Sequence, residues 1–335
     1  LKVTGKVTAN GPLFECSASK EHAAAIGYYD GAAFIDVDGA GAKFTMPSGS
    51  IDANVGNDTD CGMYGIYIWN GGEVELGNAD GTGPSVTSKF AAVAMNATTA
   101  PGRITIKGGE YTSKMVCSGE NIIKFNSVLY LPASATVDIS GGTFTASDST
   151  SSDMHVISIP YDKTQYGTVR LNLKISGGTF KTGGNNGSVF YYPNKASESN
   201  KTKVSVTGGK FSSDISKELN EGSVASGKAL IADADGDGLY KVVEPVSFSV
   251  NGKKFSKLQD AINASKDAGN SEVQLLDNIE LAGSYDFTGV TIDTKGYMVT
   301  VPDGQELVLT GGTTGVIKNT VAAEDSYGIA WSNNA

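Results

Sequence analysis

The six residues ISGGTF occupy positions 139–144 and again 175–180, and that repetition limits the possible folds more tightly than any average property of the chain. Let the second Gly of each copy, Gly142 and Gly178, be position zero. An apolar residue then stands at −5 (Val137, Leu173) and at −3 (Ile139, Ile175), with an aromatic ring at +2 (Phe144, Phe180). The same frame fits IKGGEY through Ile104, Ile106, Gly109 and Tyr111, and VTGGKF through Val204, Val206, Gly209 and Phe211. MPSGSI fits through Phe44, Met46, Gly49 and Ile51. VELGNADG reads as a degraded copy, with Val74 and Leu76 in place, Ala79 at zero and no ring. The zero positions are then 49, 79, 109, 142, 178 and 209, a repeat of 30 to 36 residues.

Periods of about 20–50 residues belong to solenoids, propellers and arrays, in which each unit buries its apolar face against its neighbours. Within each copy the −5, −3 and +2 residues alternate with polar ones, the period of a strand with one buried face, and no copy shows a helical stripe. The Gly pair supplies a bend. The expected fold is all-β, a right-handed parallel β-helix with coils of about 30–36 residues and short capping helices, its handedness following the rule for parallel crossovers. Stacked coils would place Ile51, Tyr111, Phe144, Phe180 and Phe211 in one internal ladder at about 4.8 Å spacing. Each buried ring is worth roughly 1.5–3 kcal/mol, enough to fix the register of the coils.

Composition agrees with this and excludes several functions. Among 335 residues there are 43 Gly, as a turn-rich solenoid requires. The formal net charge of −10 argues against nucleic-acid or anionic-membrane partners, and no apolar run approaches the length of a membrane span. Cys16, Cys61 and Cys117 are odd in number and lack metal-ligand spacing, which leaves small buried side chains or one disulfide pair. The Asn-x-Ser/Thr sequons at Asn57, Asn96, Asn200 and Asn263 are expected by chance in such a chain and matter only in a eukaryotic secretory source.

The repeat stops after Phe211. SSDISKELNEG reads as a short helix capped by Ser213 or Asp214 and ended by Gly222. Next, DADGDGLYKVVE places Asp233, Asp235, Asp237, Gly238 and Glu244 at the spacing of a calcium loop, in which alternate carboxylates wrap one hard cation. Its flanks read as strands rather than helices, so a plain Asp-Gly hairpin turn is the competing reading. From Val246 a new unit opens. Ser256 and Gln259 form a capping-box pattern before a helix running to about Lys266, and the strands EVQLL, VTIDT, YMVTV and LVLTGGT follow. The last fits the frame with Leu307, Leu309 and Gly312, and with Thr314 in the ring position. Residues 1–245 are therefore expected to form coils with a closing helix and hairpin, and residues 246–335 the entry helix and first coils of a second unit. LKVTGKV aligns as a further degraded copy, with Leu1 at −5, Val3 at −3 and Lys6 at zero, so that 246–335 followed by 1–245 would make one complete solenoid. That order predicts a tandem or head-to-tail array of copies joined through uncapped ends.

The xISGGTFx copies, the GGKFSSDISKELNEG segment with DGDGLYKVVE, and the opening VNGKKFSKLQDAINAS together resemble the pectin-lyase-like β-helix modules of large surface proteins from gut anaerobes. The resemblance covers most of the chain. It implies the fold and an extracellular, cell-surface setting, and it implies little about activity. A glycoside hydrolase of this kind needs paired carboxylates, and the chain shows no Asp-Asp pair on a coil strand and no Gly-His-Gly, with His22 and His155 far apart. A lyase needs a basic residue beside clustered Asp; Arg103 and Arg170 read as surface residues, and the acidic NDTD at 57–60 reads as a polar turn. The function that follows is a non-catalytic structural or adhesive module, a surface fibre or stalk, without a cofactor unless the loop holds calcium. The alternatives are a carbohydrate-binding module for host or dietary glycans, with Trp69, Tyr191 and Tyr192 as platforms, or a polysaccharide-active enzyme.

Overall fold

A computed structural model describes residues 1–15, 33–54, 64–95, 100–114, 127–132, 134–146, 154–160, 171–183, 187–193, 195, 202–232 and 235–321. Cys16, Cys61, Cys117, His22, Arg170, Asp233, the NDTD segment and the sequons at Asn57, Asn96 and Asn200 lie outside these residues. The chain divides into two compact units, Leu1–Val243 and Glu244–Ala335.

The first unit is all-β and built on large parallel sheets. Successive repeats visit three strand ladders in a fixed order. Ladder A joins Lys2–Val3, Ala33–Asp38, Tyr64–Trp69, Val93–Met95, Ser127–Tyr130, His155–Ser158 and Ser188–Tyr191. Ladder B joins the first half of Lys43–Ala53 to Glu73–Leu76, Gly102–Ile106, Ala135–Ile139, Leu171–Ile175 and Thr202–Val206. Ladder C joins the second half of Lys43–Ala53 to Ser85–Ser88, Glu110–Ser113, Thr143–Ala146, Thr179–Lys181 and Lys210–Phe211.

Ladders B and C carry the sequence frame. In ladder B the −5 and −3 residues meet their counterparts in register, as Val137 does Leu173 and Ile139 does Ile175. In ladder C the +2 residues run Phe14, Ile51, Val86, Tyr111, Phe144, Phe180 and Phe211, each paired with the next. Tyr111, Phe144, Phe180 and Phe211 stack face to face, with centroids 5.0, 4.8 and 5.1 Å apart and interplanar angles of 15°, 3° and 7°. All four rings are fully buried. Burial also pushes the Tyr111 phenol pKa up, so the hydroxyl stays protonated and donates to the Gly108 carbonyl at 2.8 Å.

Two copies sit in a different register from the one their sequence predicts. In VELGNADG, Ala79 is not at zero. Five extra residues form a turn of their own, in which Asn78 Nδ2 donates to Pro47 O and Thr82 N donates to Asp80 Oδ1. Pro84 then takes the zero position, its carbonyl accepting from Glu110 N at 2.8 Å, and Val86 fills the ring position. At the start of the chain Val3 belongs to ladder A and Lys6 is not at zero. Val7 pairs with Phe44 and Phe14 with Ile51, with a bulged stretch between, so Pro12 is the zero residue. Gly-Pro replaces Gly-Gly in both copies, and a search anchored on Gly misplaces them.

At the other end of this unit its own chain covers the last strand of each ladder. Helix α1 (Ile215–Glu218) is capped by Asp214, and Glu218 Oε2 accepts from Phe190 N at 2.8 Å while Ser213 Oγ accepts from Val189 N at 3.0 Å. Val224 bridges Val206 in parallel. Tyr240–Val243, hairpinned to Ala229–Ala232, runs antiparallel to Lys210–Phe211. The edge amides of Val189, Phe190 and Val206, which would otherwise template a further strand, are thereby occupied.

In the second unit, helix α2 (Leu258–Asp267) buries Leu258, Ala261 and Ile262. Its N-cap is Lys257, without a side-chain cap, and Gln259 Nε2 donates to Asn263 Oδ1, so the Ser256–Gln259 capping box does not form. Val273–Leu275, Thr291–Asp293 and Val316–Lys318 form one parallel ladder; Ile279–Glu280 pairs with Val299–Thr300 and Gly283–Asp286 with Leu307–Thr310. Thr314 is exposed and outside any strand, so the frame ends at Gly312 in that copy. The carboxylate of Asp293 is fully buried. Burial pushes its pKa up, but donation from the Thr320 hydroxyl at 2.6 Å, from Lys295 N and from Thr320 N outweighs this and holds it well below the ordinary range.

Candidate functional site

The outward rows of the first unit contain the polar chemistry. Glu75 is bracketed by Lys107 and Lys43, each 2.6 Å away and 32 residues distant in sequence. Hydrogen bonds from Lys107 and then Lys43 depress its pKa from 4.5 to about 2, against a smaller upward push from burial. Because the folded value lies below the unfolded one, the stabilisation is complete above about pH 4.5 and is lost as pH falls through about 2. Glu75→Gln is expected to lower the urea midpoint near neutral pH by an amount equivalent to about 1 kcal/mol, with side chains this exposed limiting the gain, and to make no difference below pH 2. An unchanged gap at low pH would rule out the ion pairs as its cause.

Arg103 lies on ladder B with Nη1 3.2 Å from Asp138 Oδ2, an exposed pair between neighbouring repeats. His155 is buried on ladder A. Its Nδ1 lies 2.7 Å from Ser188 Oγ, which in turn donates to Phe190 O, and the imidazole packs on Tyr191 at 4.9 Å. Of the three aromatic platforms expected from the sequence, Tyr192 is 6% exposed and belongs to the main core. Tyr191 is half-buried against His155, and Trp69 is half-buried edge-on to Tyr67 at 4.9 Å. The sequence reading missed a second aromatic cluster of Tyr64, Tyr67, Phe90 and Tyr130, all buried. Its signal is the uninterrupted apolar character of YGIYIW and SVLY, which marks strands covered on both faces.

Of the four residues at calcium-loop spacing, Asp235 and Asp237 lie in the exposed hairpin turn, and Glu244 is exposed in the second unit. Lys210 Nζ reaches Asp235 at 2.7 Å and Asp237 at 2.6 Å, and Lys241 Nζ reaches Asp235 at 2.9 Å. Lys210 foremost, with Lys241 on Asp235, holds these carboxyls below their ordinary range. Among the described residues, no group of three or more His, Cys, Asp or Glu side chains is placed to hold a metal ion.

Where ladder B turns into ladder C, the stacked bends leave an open groove of about 750 Å³. Its floor is Gly109, Gly142, Gly178 and Gly209, all at positive φ. One wall is the +1 row of ladder C, where Ser85, Glu110, Thr143 and Thr179 pair in register and lead to Lys210. Sequence reasoning had no access to this groove, since its residues become neighbours only once the register is known. The chain matches no family model, no curated protein and no solved structure.

Proposed function

We propose that this chain is a right-handed parallel β-helix module acting as a non-catalytic structural or adhesive scaffold outside the cell. One observation carries the reading: the first unit repeats one registered layer from Phe14 to Phe211, so that length is what the architecture produces. Its outward face carries cross-repeat pairs such as Lys43–Glu75–Lys107 and Arg103–Asp138, which join neighbouring layers. The resemblance to surface modules of gut anaerobes supports the extracellular setting. Strand edges of Lys2–Val3 and Lys6–Glu15 that pair on one side only among the described residues are where further parallel layers add, from the same chain or from another copy.

The test is turnover. Incubation of the intact protein with panels of acidic and neutral polysaccharides is expected to release neither new reducing ends nor unsaturated uronate products. Release of either product, abolished by Glu110→Gln or His155→Ala, would replace the scaffold with an enzyme.

A further inference from the structure

We infer that the last layer of the second unit docks on the first layer of the first unit of another copy, so that parallel ladders continue from chain to chain. That contact rests on the scaffold reading and gives the scaffold its partner. Each unit is covered at one end by its own chain. The first is closed beyond Lys210–Phe211 by α1 and Tyr240–Val243, and the second is opened by α2 and by Phe248–Val250, which runs antiparallel to Val273–Leu275. The opposite ends are bare among the described residues. Val299–Thr300, Leu307–Thr310 and Val316–Lys318 each pair with the preceding layer alone, as Lys2–Val3 and Lys6–Glu15 pair with the following layer alone. All these ladders are parallel and advance in chain order, so the trailing edge of the one unit continues into the leading edge of the other without reversing a strand.

Burial marks the same two layers. Val137 and Leu173, which face inward in interior layers, are fully buried, whereas Val7 and Phe14 at one bare end and Leu307 and Leu309 at the other are only half-buried. Among the described residues, every exposed large apolar side chain except Ile231 lies in or beside one of these layers, with Leu13 in the first and Val316 and Ile317 in the last. Charge selects the partner. Six residues before the zero position, strand neighbours run Lys6, Lys43, Glu73 and Arg103. Glu73 lies between two cations, but Lys6 meets only another lysine. Glu306 holds the same position in the last layer of the second unit, six before Gly312. Both side chains are exposed and make no ion pair or hydrogen bond among the described residues. The register that sets Leu307 against Val7, both at −5, sets Glu306 against Lys6 at the spacing of neighbouring strands, about 4.8 Å. Because the two faces differ, the contact does not close on itself and produces an open filament.

Sedimentation velocity of the full chain over roughly two decades of concentration tests this. A progressive series of sizes is expected, rather than a single dimer. Lys6→Glu and Glu306→Lys, both at exposed positions, should each weaken association about tenfold by setting like charges opposite one another. Mixing the two variants should restore it, since each copy then offers the other the opposite charge. Lys203→Glu alters the same row at the closed end and should associate as the parent does. Ile317→Asp, which puts a charge on the bare end, gives an independent block. A chain that stays monomeric or stops at a dimer overturns the proposal, as does weakening by Lys203→Glu equal to that by Lys6→Glu, failure of mixing to restore assembly, or indifference to Ile317→Asp. Any of these leaves the non-catalytic scaffold standing, whereas product release in the turnover assay would remove that reading while the copies still associate.

Discussion

Phe180→Ala is expected to lower the stability of the first unit by about 3–5 kcal/mol, measured as loss of hydrogen-exchange protection in Thr143–Ala146, Thr179–Lys181 and Lys210–Phe211 of the intact chain. The ring is fully buried and lies between Phe144 at 4.8 Å and Phe211 at 5.1 Å, nearly parallel to both. Truncation removes its transfer free energy and two stacked contacts, and leaves a void that the two flanking rings cannot close without moving their strands. Each layer rests only on its neighbours, so the damage lies on both sides of the substitution. Phe180→Leu, which keeps most of the volume, should cost about 1–1.5 kcal/mol. A Phe180→Ala loss under about 1 kcal/mol would mean that the stack is not what sets the register.

How much of this was legible in the sequence depended on whether a strand has one buried face or two. Ladders B and C announced themselves because Val137, Ile139 and Phe144 alternate with Thr136, Asp138 and Thr145, and alternation records the single buried face. Ladder A was invisible. In HVIS and SVLY all four residues are buried, so no period remains to distinguish in from out. The misplaced copies have a different cause: Pro12 and Pro84 take the place of the zero Gly, so a frame anchored on Gly slid past them to Lys6 and Ala79. The groove was illegible in principle, since Ser85, Glu110, Thr143 and Thr179 are 25 to 36 residues apart and each is an unremarkable strand residue until the layers are stacked.

The Gly pair itself makes the second large prediction, because its two members are needed for different reasons. Gly178 has φ of 99°, where a side chain strains the backbone. Gly177 has no such φ, yet a Cβ built there would lie 2.3 Å from the Ser140 carbonyl oxygen, and the same 2.3 Å recurs between Gly141 and Lys107 O and between Gly208 and Ser176 O. Backbone faces backbone at each contact, with no flexible side-chain tip to swing away, so relief requires the layers themselves to separate. That separation would break Ser176 N to Ile139 O and Thr179 N to Gly142 O, 2.8 and 2.9 Å bonds that join the same two layers. Gly177→Ala is therefore expected to cost about 3 kcal/mol or more, read from urea melts of the full chain. Gly222→Ala supplies the comparison: φ is 77° there but nothing lies within 4 Å of the added Cβ, so only the conformational strain of about 1–2 kcal/mol remains. A Gly177 variant no worse than the Gly222 variant would mean that the bends tolerate wider spacing, and that the Gly pair serves the turn alone rather than the approach of one layer to the next.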